Sequence, residues 1–235
     1  MATAQVATRG ALRQLRLPVT VTAFLVSMFL ILGPNQFPNA MTLGAIYALV
    51  ALGYTMVYGI IELINFAHGD VFMVGSFVAI FIGSSLLGNE GAITDIPALV
   101  ATLLLLFVGT IAVMALVGAV IERFAYRPLR RAPRLAPLIT AIGVSFILQN
   151  IIQFTFGPTI VKVPQIFPIE WVIMVGETRI PLLNLFVIAS ALILMVVLQL
   201  FISRTRTGRA MRTTSMDRDA SSLMGVDINR TIMIT

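Results

Sequence analysis

Cysteine is absent from the 235 residues, and lysine, histidine and tryptophan each occur once. Without cysteine the chain can form neither a disulfide nor a thiolate metal site. The single lysine, Lys162, belongs to no G-x-x-x-x-G-K-[ST] sequence, so the chain has no P-loop with which to hydrolyse ATP. One histidine with two acidic neighbours falls short of a zinc site, and neither H-E-x-x-H nor G-x-S-x-G occurs. The sequence therefore predicts no catalytic residue, no metal site and no cofactor held by this chain.

Charge is also scarce. Charged residues make up 11% of the chain, hydrophobic residues make up 58%, and the mean hydropathy is +0.99. Soluble domains hold about 45–50% apolar and about 25% charged residues. A core of ordinary size cannot bury this much apolar surface, so much of it must face lipid. We therefore predict an all-α, polytopic transmembrane helical bundle that occupies residues 1–235 as a single domain.

Six apolar runs indicate about six membrane spans, at residues 19–32, 41–61, 71–87, 97–121, 137–156 and 181–202. The first run is shorter than the roughly 17–25 residues that a span needs. It fits the hydrophobic region of a signal peptide equally well, with cleavage within residues 34–40, so an uncleaved span and a cleaved signal both remain open. Residues 157–180 are expected to form a long loop.

The arginines predict the orientation of the spans, because cytoplasmic loops carry an excess of basic residues. With the amino terminus in the cytoplasm, all three arginine-rich segments fall on the cytoplasmic side. Only Lys162 and Arg179 then lie outside. The net charge of +6 is thus an orientation signal, and we predict no nucleic-acid partner. The three segments are residues 1–18, 122–136 and 203–230.

A cluster of polar residues interrupts the apolar sequence between the second and third runs. Glu62, Asn65, His68 and Asp70 fall within nine positions, and this segment has no basic residue. One interpretation is a tight turn whose polar groups satisfy helix ends. The other is a functional break beside a translocation path, because broken helices at membrane depth occur only where they are buried in protein or line a cavity.

A second polar group lies inside the fifth run. Ser145, Gln149 and Gln153 recur at intervals of four residues, so they share one narrow face of a helix. Uncharged polar residues in a bilayer face the bundle interior or water. Hydrogen bonding between helices and the lining of a solute pathway are both compatible with this face.

The third group is the segment 203–230. Asp217 can cap a short helix that ends near Met224, with Gly225 just past its end, and Asp227 can cap another helix from Ile228. A separately capped helix between two membrane spans would make a docking element. Residues 231–235 begin an apolar run of five residues, where a span needs about 20.

Several motifs in this order resemble one family, the LivH-type permease subunits of branched-chain amino acid ABC importers. The resemblance covers about residues 39–229. The motifs are GYTMVYGII at 53–61, INFAHGD at 64–70, IERFAYRP at 121–128, AIGVS at 141–145, LQN at 148–150, GRAMR at 208–212 and LMG at 223–225.

The resemblance implies the permease architecture of an ABC importer in a bacterial plasma (inner) membrane. The expected partners are ATP-binding subunits, which would bind the ATP, a second homologous permease subunit and an extracytoplasmic amino-acid-binding protein. Segment 203–230 would be the coupling loop, and family members continue for several helices past residue 235, so the chain looks shortened. Expected pathway residues are Asn65, His68, Asp70, Ser145, Gln149 and Gln153; expected ATPase-docking residues are Arg209, Arg212, Asp217, Asp219, Leu223, Met224 and Gly225.

The alternative function is an ion- or proton-coupled transporter or channel that uses Glu62, His68 and Asp70 as a relay, since ionisable groups inside membranes often serve in this way. Uptake that follows ATP or the proton gradient would separate the two functions. An intramembrane enzyme would need a paired nucleophile and base, which the sequence does not offer.

Overall fold

The computed structural model describes residues 2–61, 64–86, 88, 91–129, 132–133, 135–176 and 178–235, with the backbone alone at 2–18, 61 and 86. Of the residues discussed above, Glu62, Arg130, Arg131 and Arg134 lie outside the described residues. The described chain is almost entirely helical. Its elements are α1 (Ala2–Ile61), α2 (His68–Phe81), α3 (Ile96–Ile121), α4 (Leu135–Phe156), β1 (Val172–Val175), β2 (Thr178–Pro181), α5 (Leu182–Arg204), α6 (Arg206–Met216), α7 (Arg218–Leu223) and α8 (Ile228–Ile234).

Within the described residues, five helical segments are long and apolar enough to cross a membrane. Their large apolar side chains are mostly exposed, as at Leu104 (60%), Leu116 (65%) and Phe146 (61%), which suits contact with lipid or other helices. The all-α polytopic bundle is therefore confirmed. The segments are Val19–Ile60, His68–Ser85, Ile96–Leu129, Leu135–Phe156 and Leu182–Arg204.

A single kink separates the first two apolar runs. Both runs belong to α1, and the only interruption within it is Gly33, whose φ of 71° and ψ of 168° are not helical. Glycine adopts a positive φ without a steric penalty, and Pro34 follows as the first residue of the second half, a position that tolerates proline. Residues 34–40, where the sequence leaves a signal cleavage site open, are helical, and α1 is two helices joined at Gly33.

The membrane helices pack in two sets of contacts. Helix α1 lies along α5, while α2 lies against both α3 and α4. Glycines permit two of these approaches: a Cβ on Gly75 would lie 3.5 Å from Met114, and one on Gly109 would lie 3.1 Å from Ile82. Helices α2 and α3 each pass into a π-helical turn, at Ile82–Leu86 and Glu122–Tyr126.

The expected loop at 157–180 contains a β-hairpin. Strands β1 and β2 pair antiparallel, with Val172 opposite Pro181 and Val175 opposite Thr178. Gly176, at φ 64°, lies in the turn between them. Each strand has only four residues, and prolines occur through the rest of the loop. The alternation of apolar and polar residues is therefore too short to predict the hairpin from the sequence.

A tight junction connects α5 to α6. Thr205 is extended, its hydroxyl donates to the Phe201 carbonyl at 2.6 Å, and its Oγ1 accepts from the Gly208 amide at 3.0 Å. A Cβ on Gly208 would overlap the backbone oxygens of Ile202 and Phe201. Helix α6 can therefore fold back against α5 only with glycine at this position.

We predict that Gly208→Ala destabilises the protein by about 1–3 kcal/mol, because the added methyl group meets backbone that cannot move aside easily. The control is Gly118→Ala in α3, where a Cβ meets nothing within 4 Å. That change should be neutral or stabilising by up to about 1 kcal/mol. Unfolding of the purified protein in mixed micelles measures both; equal stability of the two variants would contradict the packing at Gly208.

Candidate functional site

The break between α1 and α2 is organised by Asn65. Its Oδ1 accepts hydrogen bonds from the Ala67 amide at 3.0 Å and from the Tyr126 hydroxyl at 2.7 Å. Its carbonyl accepts from the His68 amide at 3.1 Å, and Ala67 is fully buried. Asn65 thus shapes the turn that starts α2 and ties that turn to the end of the third membrane segment. Its side chain faces Tyr126 rather than an open path.

His68 packs against α1. Its ring lies 5.8 Å from the ring of Tyr54 in an edge-on arrangement, and the imidazole bonds to the backbone of Val50. A Cβ on Gly53 would lie 3.0 Å from both Cε1 and Nε2 of the imidazole. Gly53 therefore leaves the space that His68 occupies. No sequence signal pairs these two residues.

Asp70, Ser145 and Gln149 come together between α2 and α4. The Ser145 hydroxyl donates to Asp70 Oδ2 at 2.5 Å, and Gln149 Nε2 donates to Asp70 Oδ1 at 2.9 Å and to Ser145 Oγ at 3.3 Å. We call these three residues the Asp70 cluster. The i, i+4 spacing on α4 presents both donors to one carboxylate.

The Asp70 cluster lies about halfway along α4. Ser145 is ten residues past Leu135, or about 15 Å along α4 at about 1.5 Å per residue. Further along both helices, the rings of Phe77 and Phe156 are 4.8 Å apart, so α2 and α4 run in the same direction, as alternating crossings require. Helix α2 thus starts beside the middle of α4, and this depth favours the interpretation of residues 64–67 as a break within the membrane.

Gln153 lies one turn beyond Gln149 on the same exposed face of α4 and takes no part in the Asp70 cluster. His68 and Asp70 also do not meet, because His68 contacts α1 and Asp70 contacts α4. The relay expected from Glu62, His68 and Asp70 therefore has no hydrogen-bonded path through the part of the chain that the structure describes. In that same part, no three metal-ligating side chains come together.

Helix α7 has both predicted caps. Asp217 accepts from the Ala220 amide at 3.0 Å, and Gly225 follows the helix with a φ of 82°. The amides of Gly225 and Val226 bond to the carbonyls of Ser222 and Ser221, which is the Schellman arrangement of a helix end. Asp227 likewise accepts from the Arg230 amide at 3.0 Å and caps α8, so the predicted start and stop signals are confirmed.

Helix α6, which precedes α7, was missed by the sequence interpretation because its four polar threonines and serines and its arginines resemble a solvated loop. The cap at Thr205 and the apolar Met211 between polar neighbours were the available signals. Met211 and Thr214 are buried, while Arg212 donates to the Ser203 carbonyl at 3.3 Å. Arg209 and Asp219 are exposed. Helix α6 contacts both α1 and α5, so it is attached to two membrane helices.

Three large apolar side chains stand out from α6 and α7. Met216, Leu223 and Met224 are 87%, 89% and 85% exposed. We call these residues the α7 surface. A groove of about 280 Å³ runs beside them between Thr213 and Val226. Because these residues follow a polar, arginine-rich helix, they are expected to lie beyond the lipid, where exposed apolar clusters mark contacts with other proteins.

These elements define a multi-pass helical membrane protein with a polar break inside the bundle and a separate capped helix beyond its last span. The chain belongs to the family described as the permease component of branched-chain amino acid transport systems, whose model matches residues 36–235. Membership confirms the family that the sequence motifs indicate.

The curated relatives are permease proteins of high-affinity branched-chain amino acid transport systems. BraD of Pseudomonas aeruginosa is 41% identical over 206 residues, LivH of Escherichia coli K12 is 41% identical over 204, and LivH of Salmonella typhimurium is 40% identical over 204. Each match covers 86% of this chain and 65% of the relative, so the chain spans about two thirds of their length. No solved structure matches the chain at a significant level.

We predict that Tyr126→Phe lowers the free energy of unfolding by about 1 kcal/mol, because Asn65 loses a partly buried hydrogen bond. Tyr58→Phe is the matched control, since Tyr58 is 53% exposed. That variant should stay within about 0.5 kcal/mol of the parent. Denaturant titration in micelles makes the comparison, and a neutral Tyr126→Phe would show that Tyr126 does not stabilise the turn.

Proposed function

We propose that this chain is a membrane-spanning permease subunit of an ATP-driven importer for branched-chain, hydrophobic amino acids. Family membership supplies the class of protein. The α7 surface is the observation that supports the ATP-driven part of this proposal. It is an exposed apolar patch at and beside a separately capped helix beyond the last long span. We expect ATP-binding subunits to dock there, with Arg209, Arg212, Asp217, Asp219, Leu223, Met224 and Gly225 in or beside the contact.

On this proposal, partner subunits bind and hydrolyse the ATP. The sequence has no P-loop, and Lys162, the only lysine, belongs to the loop before β1. We therefore propose a transport subunit rather than an enzyme, a role that family membership supports, with ATP bound by its partners. On this proposal the amino terminus lies in the cytoplasm of a bacterium, the membrane is the plasma (inner) membrane, and the loop of Lys162 faces an extracytoplasmic binding protein.

The contacts of α6 offer a path for the motion. Helix α7 packs on α6, and α6 packs on α5 and α1. Met211 is fully buried in this contact, and Arg212 holds the Ser203 carbonyl at the end of α5. Because the junction at Thr205 is short and hydrogen-bonded, a displacement of α7 is passed to two membrane helices. Closure and reopening of the ATP-binding subunits would then open the pathway first to one side of the membrane and then to the other.

The Asp70 cluster is the proposed lining of that pathway, and Gln149 and Gln153 extend it along α4. Gln149 is exposed on the surface of this single chain, where lipid would be an unfavourable neighbour. Contact with water and with a second, homologous permease subunit would satisfy these polar groups. Asn65 and His68 position the start of α2, because Asn65 contacts Tyr126 and His68 contacts α1.

The docking role predicts that Leu223→Asp lowers the amount of ATP-binding subunit that co-purifies with the chain by about tenfold, because a charge replaces an apolar anchor. Ile160→Asp is the control: Ile160 is 98% exposed but lies in the loop before the hairpin, at the other end of the bundle. It should leave co-purification unchanged. Full recovery of the ATP-binding subunits with Leu223→Asp would overturn the docking role.

Gly225→Val should separate ATP hydrolysis from uptake while membrane insertion stays intact. Valine at a φ of 82° is strained, so the end of α7 must change shape. Gly88→Val, also at a positive φ of 57° but in the loop before α3, provides the same strain away from α7. Proteoliposomes with the complete transporter measure leucine uptake per ATP hydrolysed; an unchanged ratio in Gly225→Val would count against coupling through α7.

A further inference from the structure

The carboxylate of Asp70 is unusual because it lies inside a membrane segment without a cationic partner. Both of its described contacts are to neutral groups, the Ser145 hydroxyl and the Gln149 amide. No lysine, arginine or histidine of the described residues pairs with it, and His68 points to the opposite side of α2. Carboxylates within membranes are costly and are kept where they pair with another charge or serve a pathway.

Local structure favours the negative charge. Asp70 is in the first turn of α2, where the helix dipole stabilises an anion. Its side chain does not cap that helix but reaches across to α4. Both neighbours donate to it, and an ionised carboxyl group is an acceptor only, so the geometry fits the carboxylate form. The cluster thus presents a carboxyl group that no cation among the described side chains neutralises.

The remaining hydrogen-bonding capacity is that of an acceptor. A carboxylate has about four acceptor positions, of which the two described contacts use two. Both Nε2 hydrogens of Gln149 are directed to Asp70 and Ser145, which leaves its Oε1 as a further acceptor. Two carboxylate oxygens and one amide oxygen of the cluster therefore keep unused acceptor capacity. A primary ammonium group, with three N–H donors and one positive charge, matches this arrangement.

We propose that Asp70, Ser145 and Gln149 form the subsite that receives the ammonium group of the amino acid in the translocation path. This inference rests on the proposed function of the chain as an amino-acid permease. It adds a selection rule: the path distinguishes zwitterionic amino acids from amides and urea-like solutes by a carboxylate, while the aliphatic side chain needs only apolar surroundings. Ser145 and Gln149 orient the carboxylate, and Asp70 supplies the charge.

The test is protection of Asp70 from a membrane-permeant carbodiimide, read by mass spectrometry on the complete transporter in membranes. Leucine and 3-methylbutylamine, which both carry the ammonium group, should slow the labelling of Asp70 by about tenfold, as expected for a charge-assisted hydrogen-bonded contact. The acid 4-methylpentanoate, which has the same side chain without the ammonium group, should not protect. Asp95, which caps α3 by accepting from the Ala98 amide, is the internal control and should be labelled equally in every sample.

Protection by 4-methylpentanoate as strong as that by leucine would overturn the proposal, and so would an Asp70 that the reagent does not reach. If the Asp70 cluster only holds α2 against α4, no ligand should change the labelling of Asp70, and that result would also overturn the proposal. The readout does not depend on ATP, so the subsite and the ATP-driven import can fail separately.

Uptake by the Asp70→Asn transporter gives a second measurement. The substitution keeps the size of the side chain and removes the charge, so leucine uptake per ATP hydrolysed should fall by about tenfold or more. Asp95→Asn is the matched change at another helix start, where asparagine caps equally well, and should transport normally. Normal uptake by Asp70→Asn would exclude charge recognition even if the fold were intact.

Discussion

A helix that ends inside a bilayer leaves backbone amides and carbonyls that no water can reach, and each of them must find a partner within the protein. The start of α2 beside the middle of α4 creates this situation here. Asn65 meets part of this requirement, because its Oδ1 accepts from the Ala67 amide and from the Tyr126 hydroxyl. Asp70 does not cap the helix but connects it to Ser145 and Gln149 on α4. The same polar groups that make the break tolerable also place acceptors where a solute could pass.

A second requirement is that motion outside the membrane reaches this break. Helix α7 is held by its own caps and therefore keeps its shape when a partner pushes on it. Helix α6 connects it to α5 and α1. Helix α1 in turn contacts the start of α2, where the His68 imidazole packs against Gly53. Each step is a packed contact between described residues, so the α7 surface and the Asp70 cluster are joined through a continuous set of helices.

The sequence predicts those features whose signals are local. The caps at Asp217 and Asp227, the glycine at Gly225 and the polar face of α4 follow from a few neighbouring residue types. The pairing of Asp70 with Ser145 does not, because the contact joins residues far apart in the chain and each has other possible partners. Helix α6 was missed because its polar composition hides an amphipathic pattern around Met211. The helical continuation over 34–40 was not predicted, because proline can begin a helix as well as end one.

If ATP hydrolysed by partner subunits drives an amino acid through this chain, leucine uptake by proteoliposomes is the most direct measurement. The proteoliposomes contain the complete transporter and its binding protein and are energised either by ATP or by a pH gradient. We expect uptake that requires ATP on the side of the α7 surface and that a protonophore does not reduce. Uptake that follows the pH gradient without ATP would contradict this expectation and would support an ion-coupled transporter instead.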